Sequence, residues 1–515
     1  MAIRSSGHYR DSEAVAATPS SRSSAASEPG AAARVRRQAW DAAMSARPGE
    51  LDLRIAPSLI DGVLPRSLRG GRLLSNGPGW TRFGRWTAHP FDGHGYLRAF
   101  EFMPDGACRL RARFIDTAVY RDEAARGRFS HRGFATNLEG VRWRNLGAGR
   151  PRNVANTTVT RWGERLIVGW EGGEPHAVDA DSLDTLGLET FAGAIAGQTT
   201  LAHMRHDRAR ERLLLCSVAG RRKVTVTFRE VDRDNRVQRT ERAQFDGLLF
   251  AHDFAFTDNW YLLAGNPLRI NGPEFAKVLL GGSTTLRALV ADDSKPGVLH
   301  LMPRGGGEVR TVRLPGPAFV VHFGNAYECA DGTVIVDACA FDRYDFGEEF
   351  GYGGPRTPFD PALPDRRAPQ RLLRFTIPPG ASTAQCHPLC AYGVDFPRFH
   401  PDHEGRDTPW LFGATRADVR HSDPFDSLIA LDLHDSERPP ALWTAPDGQF
   451  VGEPILVPDP EAVGGGHVLA LLSDGVRERT TLAIFNAAKL AAGPLASVPL
   501  PLLPIAFHGD WDGAR

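Results

Sequence analysis

From about residue 50 to its end the chain is punctuated rather than helical: short β-leaning runs recur, separated by Gly, Pro, Asp and Asn. Examples are "ERLIVGW" (164–170), "ERLLLCSVAG" (211–220), "RKVTVTFREVD" (222–232), "NWYLLAG" (259–265), "GTVIVDACAF" (332–341), "RLLRFTIP" (371–378), "HVLALLSDG" (467–475) and "TTLAIFN" (480–486). Several alternate with period two, and the wholly apolar ones suit strands covered on both faces. Helical patterns are confined to 35–47 and 272–282. Many short strands without βα alternation argue for a barrel, sandwich or propeller. The strands are too numerous for one sandwich, and radial repetition protects strand edges, so an all-β propeller is the expectation. Tandem β-domains are the alternative.

Residues 1–45 stand apart. "SEAVAATPSSRSSAASEPGAAA" is rich in Ser and Ala and nearly devoid of large apolar side chains, so it is expected to be a disordered N-terminal extension. It lacks the apolar core of a secretory signal. Residues 46–515 are then expected to form a single domain. Lys plus Arg and Asp plus Glu number 61 each, which gives no basic excess for a nucleic-acid partner. No run of 18 apolar residues is present to span a membrane. The amphipathic segment 272–282 is read as packing on the core, lining a substrate entrance or touching a bilayer peripherally. Six irregularly spaced cysteines are not a disulfide framework and suit a reducing, cytoplasmic setting. "CHPLC" (386–390) reads as a turn, with a metal site as the alternative.

Several chemistries are absent as motifs: there is no GxxxxGK[ST], GxSxG, HExxH or CxxC. Asp92 and His94 in "FDGHG" could form an acid/base pair, but flanking glycines favour a turn. Among 17 histidines, four share a setting: His203 in "TTLAHMRHD", His252 in "LLFAHDFAF", His322 in "AFVVHFGNAYE" and His508 in "PIAFHGDW". Each follows an apolar residue near a turn or strand entry, where an imidazole is at least partly buried and must find hydrogen-bond partners or a metal. They lie too far apart for a local zinc motif but suit delivery from different blades to one axis. His206 competes with His203, and spacing does not choose between them.

The same segments, with "LPRSLRGGRLLSNGPG" (64–79), "FDGHGYLRAF" (91–100) and "NTTVTRWGERLIVGWEGGEPHAVD" (156–179), resemble the carotenoid cleavage oxygenase family in order and to the end of the chain. That resemblance implies a seven-bladed β-propeller capped by a dome of loops and short helices. It also implies one axial Fe(II) held by His203, His252, His322 and His508. Glu171 in "GWEGGEP", Asp395 in "VDFPRF" and Glu453 in "FVGEPILVP" match the carboxylates that hydrogen-bond those imidazoles. Asp395 stands where the family has Glu. Being one methylene shorter, it is expected to need a backbone or ring shift, or an intervening water.

The implied reaction is O2-dependent scission of a carbon–carbon double bond in an apolar conjugated substrate to two carbonyls, with no catalytic side chain beyond the iron centre. Stilbene-cleaving relatives use a lysine and a tyrosine on a phenol. The comparable segment here (107–129) has no lysine, leaving Arg111, Arg113 or Tyr120 as candidates. This favours a carotenoid or apocarotenoid over a stilbenoid or phenylpropene. The alternative of another class is a non-enzymatic propeller that presents loops to a partner.

Overall fold

The computed structural model describes residues 29–84, 86–140, 142–147, 152–220, 222–316, 318–342, 344, 370–419, 424–461 and 465–513. Seven antiparallel sheets follow one another around an axis, with the strands of each running from the axis outward. Blade 1 comprises His508–Asp512, Arg72–Asn76, His94–Phe102 and Cys108–Phe114, with Leu51–Ile55 on its rim. Blades 2 to 6 each have four strands in chain order, starting with Thr158–Trp162, Arg205–Asp207, Phe254–Phe256, Phe319–Glu328 and Asp395–Arg398; in blade 4 a separate two-stranded sheet, Leu268–Ile270 with Leu289–Ala291, is inserted after the second strand. In blade 7, Gln449–Val451 and Ile455–Pro458 both pair with Gly466–Asp474, followed by Arg479–Asn486 and Pro494–Pro501.

The apolar runs noted in the sequence are the middle strands. Gly466–Asp474 is buried along its whole length because blades cover it on both faces. Ring closure comes from the chain end: His508–Asp512 pairs in register with Arg72–Asn76, placing His508 opposite Asn76. The Asn76 amide donates to the carbonyls of Ala155 and Thr158, tying this closure to blade 2.

The expected extension 1–45 needs correction over its last part. Residues 1–28 lie outside the described residues, but Pro29–Ser45 is a helix, α1. Alanine has the highest helix propensity, and proline suits the first helical turn. Ala39, Ala43 and Met44 are buried against the propeller, so small side chains supply a packed face that a count of large apolar residues overlooks. The 272–282 segment contains a second helix, Gly272–Leu279, capped by the Asn271 side chain accepting from the Glu274 amide.

Candidate metal centre

Every blade sends one side chain from its axial end toward the centre. His508 opens the inner strand of blade 1, while His203 and His252 lie two residues ahead of the inner strands of blades 3 and 4. His322 lies within the inner strand of blade 5, where the pairing register shifts between Val320 and His322. The remaining three blades give carboxylates: Glu171 just after Arg165–Gly169 in blade 2, Asp395 at the start of the inner strand of blade 6, and Glu453 between the two short strands of blade 7.

The nitrogens that His203, His252, His322 and His508 can offer lie within 4.8 Å of one another, and among the described residues no other such group occurs. The Nε2 atoms of His203 and His252 stand 3.2 Å apart. Ring centroids of His203 and His508 are 4.4 Å apart, and those of His322 and His508 are 5.0 Å apart. Three rings are fixed from behind through Nδ1–H donated to a carboxylate: His252 to Glu171 at 2.5 Å, His322 to Asp395 at 2.6 Å and His508 to Glu453 at 3.0 Å. His203 has no such partner, since Asp253 Oδ1 is 3.9 Å from its Nδ1. Glu453 is itself held by Arg398, whose Nε donates to Oε1 at 3.0 Å.

Asp395 therefore reaches its imidazole directly. The backbone here is irregular: pairing with the next strand shifts register between Asp395 and Arg398, and Phe396 adopts φ 52°. A left-handed phenylalanine is unfavourable by roughly 1–2 kcal/mol, a local strain borne at the centre. Phe396 also packs its ring against His322 and His508, with centroids 5.6 and 5.5 Å away.

These contacts select the tautomer. A carboxylate only accepts, so each bonded Nδ1 carries the proton and Nε2 presents its lone pair inward. Buried His322 Nε2 has no hydrogen-bond partner, an orphan that a cation would satisfy. Burial drives His203 well below the usual imidazole range, and the neighbouring imidazoles push the same way. Burial likewise lowers His508 to about 4 against the opposing pull of Glu453. For His252, burial is outweighed by Glu171 and the net shift is upward. Burial would raise Glu453, but Arg398 and His508 outweigh it and bring it down to about 2. Four imidazoles converging on one point, three of them turned Nε2-inward by a carboxylate at Nδ1, make a donor set that fits a divalent first-row metal.

Two spaces meet at the four rings. Residues just ahead of the inner strands line an apolar cavity of about 900 Å³, which touches His252, His322 and His508 and whose walls include Phe91, Phe134, Trp170, Phe250, Phe425 and Phe507. Residues further along the inner strands line a polar chamber of about 130 Å³ with Arg205, Asp253, Arg398 and Glu404 in its walls.

His206, the competitor of His203, is not in the four-nitrogen group; its Nε2 lies 3.2 Å from Thr160 Oγ1. His94 is fully buried, with Nε2 2.9 Å from Glu123, which also accepts from Arg152. Asp92 instead accepts the amides of Phe134 and Ala135, so the two do not form an acid/base pair. Cys386, His387 and Cys390 form no metal-holding group. The phenol candidates are elsewhere: Arg111 pairs with Glu101, Arg113 with Glu50, and Tyr120 stacks on Phe114. None of the three lines the cavity. Sequence reasoning missed Arg205, Asp253 and Arg398, whose segments carry no pattern beyond ordinary alternating charge.

Residues 47–512 match the family model described as retinal pigment epithelial membrane protein. The chain is 31% identical over 487 residues to the apocarotenoid-15,15'-oxygenase of Synechocystis, covering 92% of this chain and 96% of that one. It is 30% identical to carotenoid cleavage dioxygenase 7 of Oryza sativa, over 88% and 87% of the two chains. It is 26% identical to an isoeugenol monooxygenase of Pseudomonas putida, over 90% and 96%. The solved structure of cobalt-substituted Synechocystis apocarotenoid oxygenase superposes with a TM-score of 0.84 at 29% identity, covering 93% of this chain and 99% of that one.

Proposed function

Since the chain belongs to the carotenoid cleavage oxygenase family, we propose that it is a non-haem Fe(II)-dependent dioxygenase that cleaves a double bond of an apocarotenoid or carotenoid into two carbonyl products. The observation that carries this reading is the convergence of four imidazole nitrogens beside a large aromatic cavity. His203, His252, His322 and His508 would hold the iron, which supplies O2 activation. Glu171, Asp395 and Glu453 keep three rings in the metal-binding tautomer and partly balance the ion's charge. The aromatic walls take up an apolar polyene, orient one double bond toward the rings and exclude water.

A second reading has support in the isoeugenol monooxygenase relative: a stilbenoid or phenylpropene substrate. The cavity walls favour the first, because no lysine is among them to exchange a proton with a phenol. A membrane surface is the proposed source of the apolar substrate. Supporting this, Trp143, Leu146, Ile270, Leu279 and Leu280 are all exposed large apolar residues. Leu146 bridges to Leu280, and Leu268 on the same short strand as Ile270 packs with Phe319, Val321 and Phe250, the last two being cavity walls. Among the described residues no helix is long and apolar enough to cross a membrane. Six free cysteines suit a cytoplasmic site of action.

The test is paired incubation of Fe(II)-loaded protein with apocarotenals and with hydroxystilbenes or isoeugenol, with aldehydes identified by mass spectrometry. Iron-dependent apocarotenal cleavage is expected. Less than a few tenths of an equivalent of iron bound, with no aldehyde from either class, would sink the oxygenase reading; aromatic aldehydes alone would establish the second.

A further inference from the structure

The cavity wall includes one residue from α1, a helix that precedes the span matched by the family model. That residue is Trp40. Its indole meets Phe450 edge-on, with centroids 5.2 Å apart and planes at 75°. Phe450, Val451 and Gly452 continue the same wall up to Glu453, the carboxylate behind His508.

The helix is firmly seated. Asp41 accepts two hydrogen bonds from Arg82 at 3.0 and 3.1 Å, and the Met44 carbonyl accepts from Thr81 at 2.8 Å. Ala39 and Ala43 are fully buried, and the Ala39 carbonyl lies so close over Gly475 that a Cβ there would be 1.9 Å from its oxygen. Trp40 is thus a wall held by backbone packing, hydrogen bonds and an ion pair, and a large aromatic with only two side-chain torsions loses little entropy in that position.

We propose that Trp40 is a specificity-determining residue, closing the blade 7 margin of the cavity and limiting the bulk of the substrate end that enters there. The inference rests on the reading of this cavity as the site of an apolar polyene. Apolar contacts alone discriminate weakly, by about 10- to 200-fold per methylene group, so selection among polyenes that differ at their ends falls to a steric stop. A rigid indole between α1 and Phe450 provides one.

The experiment uses the iron-loaded full chain, its Trp40→Ala variant and its Trp40→Phe variant. For each, kcat/KM is measured on a linear apocarotenal and on one ending in a bulky ring. Trp40→Ala is expected to raise the ratio of bulky to linear substrate by about tenfold or more, and Trp40→Phe by a smaller factor, with iron content and thermal midpoint as in the wild type. A ratio within twofold of wild type in both variants, a fall in the ratio, or an equal loss on both substrates would overturn the assignment. If Trp40→Ala loses its thermal midpoint through release of α1, Trp40→Phe decides by the same twofold threshold. Wild-type protein that cleaves neither substrate would defeat the functional reading itself, and the inference with it.

Discussion

The two spaces that meet at the histidines have opposite chemistry, although the same inner strands build both. Asn156 and Thr157 face the large cavity, and Thr158 to Thr160 the small chamber; Phe507 lies on one side of His508, and Asp510 on the other. The cavity offers a ligand mostly apolar surface and few charges. The chamber satisfies its charges internally: Arg205 donates to Asp253 at 2.5 Å and to Glu404 at 3.3 Å, and Arg398 donates to Glu453 and to the Gly509 carbonyl. One side is built to receive a molecule, and the other to hold the imidazoles in place.

The largest effect is expected where both spaces depend on one element. Removing residues 508–515 takes away His508 and the strand that closes blade 1, so iron content should fall to background and the cooperative thermal transition should be lost or much lowered, by metal analysis and calorimetry. Next comes the polar chamber. Arg205→Leu leaves Asp253 and Glu404 buried without their cation and should cost about 3–5 kcal/mol in urea unfolding. An unchanged midpoint would mean that the chamber is solvated and its ion pairs dispensable.

The chamber should also shape acid stability. Burial, opposed by Asp510, holds His206 below its unfolded value of about 6.5. The unfolded chain therefore takes up the proton first: the contribution of a neutral His206 is complete above about pH 6.5 and is lost as the pH falls below it. His206→Gln should flatten that decline in urea midpoints measured from neutral into acid pH.

At the boundary between the two spaces, Asp395→Asn should weaken metal retention by about 10- to 100-fold in competition with a chelator. Asp395→Glu should also weaken it, by a smaller factor, because the left-handed Phe396 turn is shaped around the shorter acid. Equal or better retention with Glu would break that account. The smallest effect belongs to the apolar side: Phe134→Gln should lower kcat/KM for an apocarotenal about tenfold while leaving iron content unchanged.

How much of this was legible in the sequence differs by residue. The blade strands announced themselves because apolar runs bounded by turn residues have no other stable use. The choice of His203 over His206 did not follow from spacing, since both lie in one short segment; only the family motif separated them, and in the fold His203 precedes the inner strand of blade 3 while His206 lies within it, against Thr160. Helix α1 was underestimated because alanine buries well but contributes little to a hydrophobicity count, and Trp40 was visible only as part of a helical pattern. Arg205, Asp253 and Arg398 could not be singled out, since pairing among residues far apart in sequence leaves no local signature. Whether Asp395 meets its imidazole directly or through a water did not follow from the sequence, because side-chain length is written there and backbone curvature is not.

The pairing of His508–Asp512 with Arg72–Asn76 also sets an order of events during synthesis. The partner strand emerges from the ribosome long before the closing one, with every other blade between them in the sequence. Six blades can form as the chain emerges, but neither the ring nor the four-nitrogen site exists until residues 508–512 have followed. A chain terminated ahead of them would therefore carry three of the four imidazoles and an open blade, so assembly of the site waits on the closing strand.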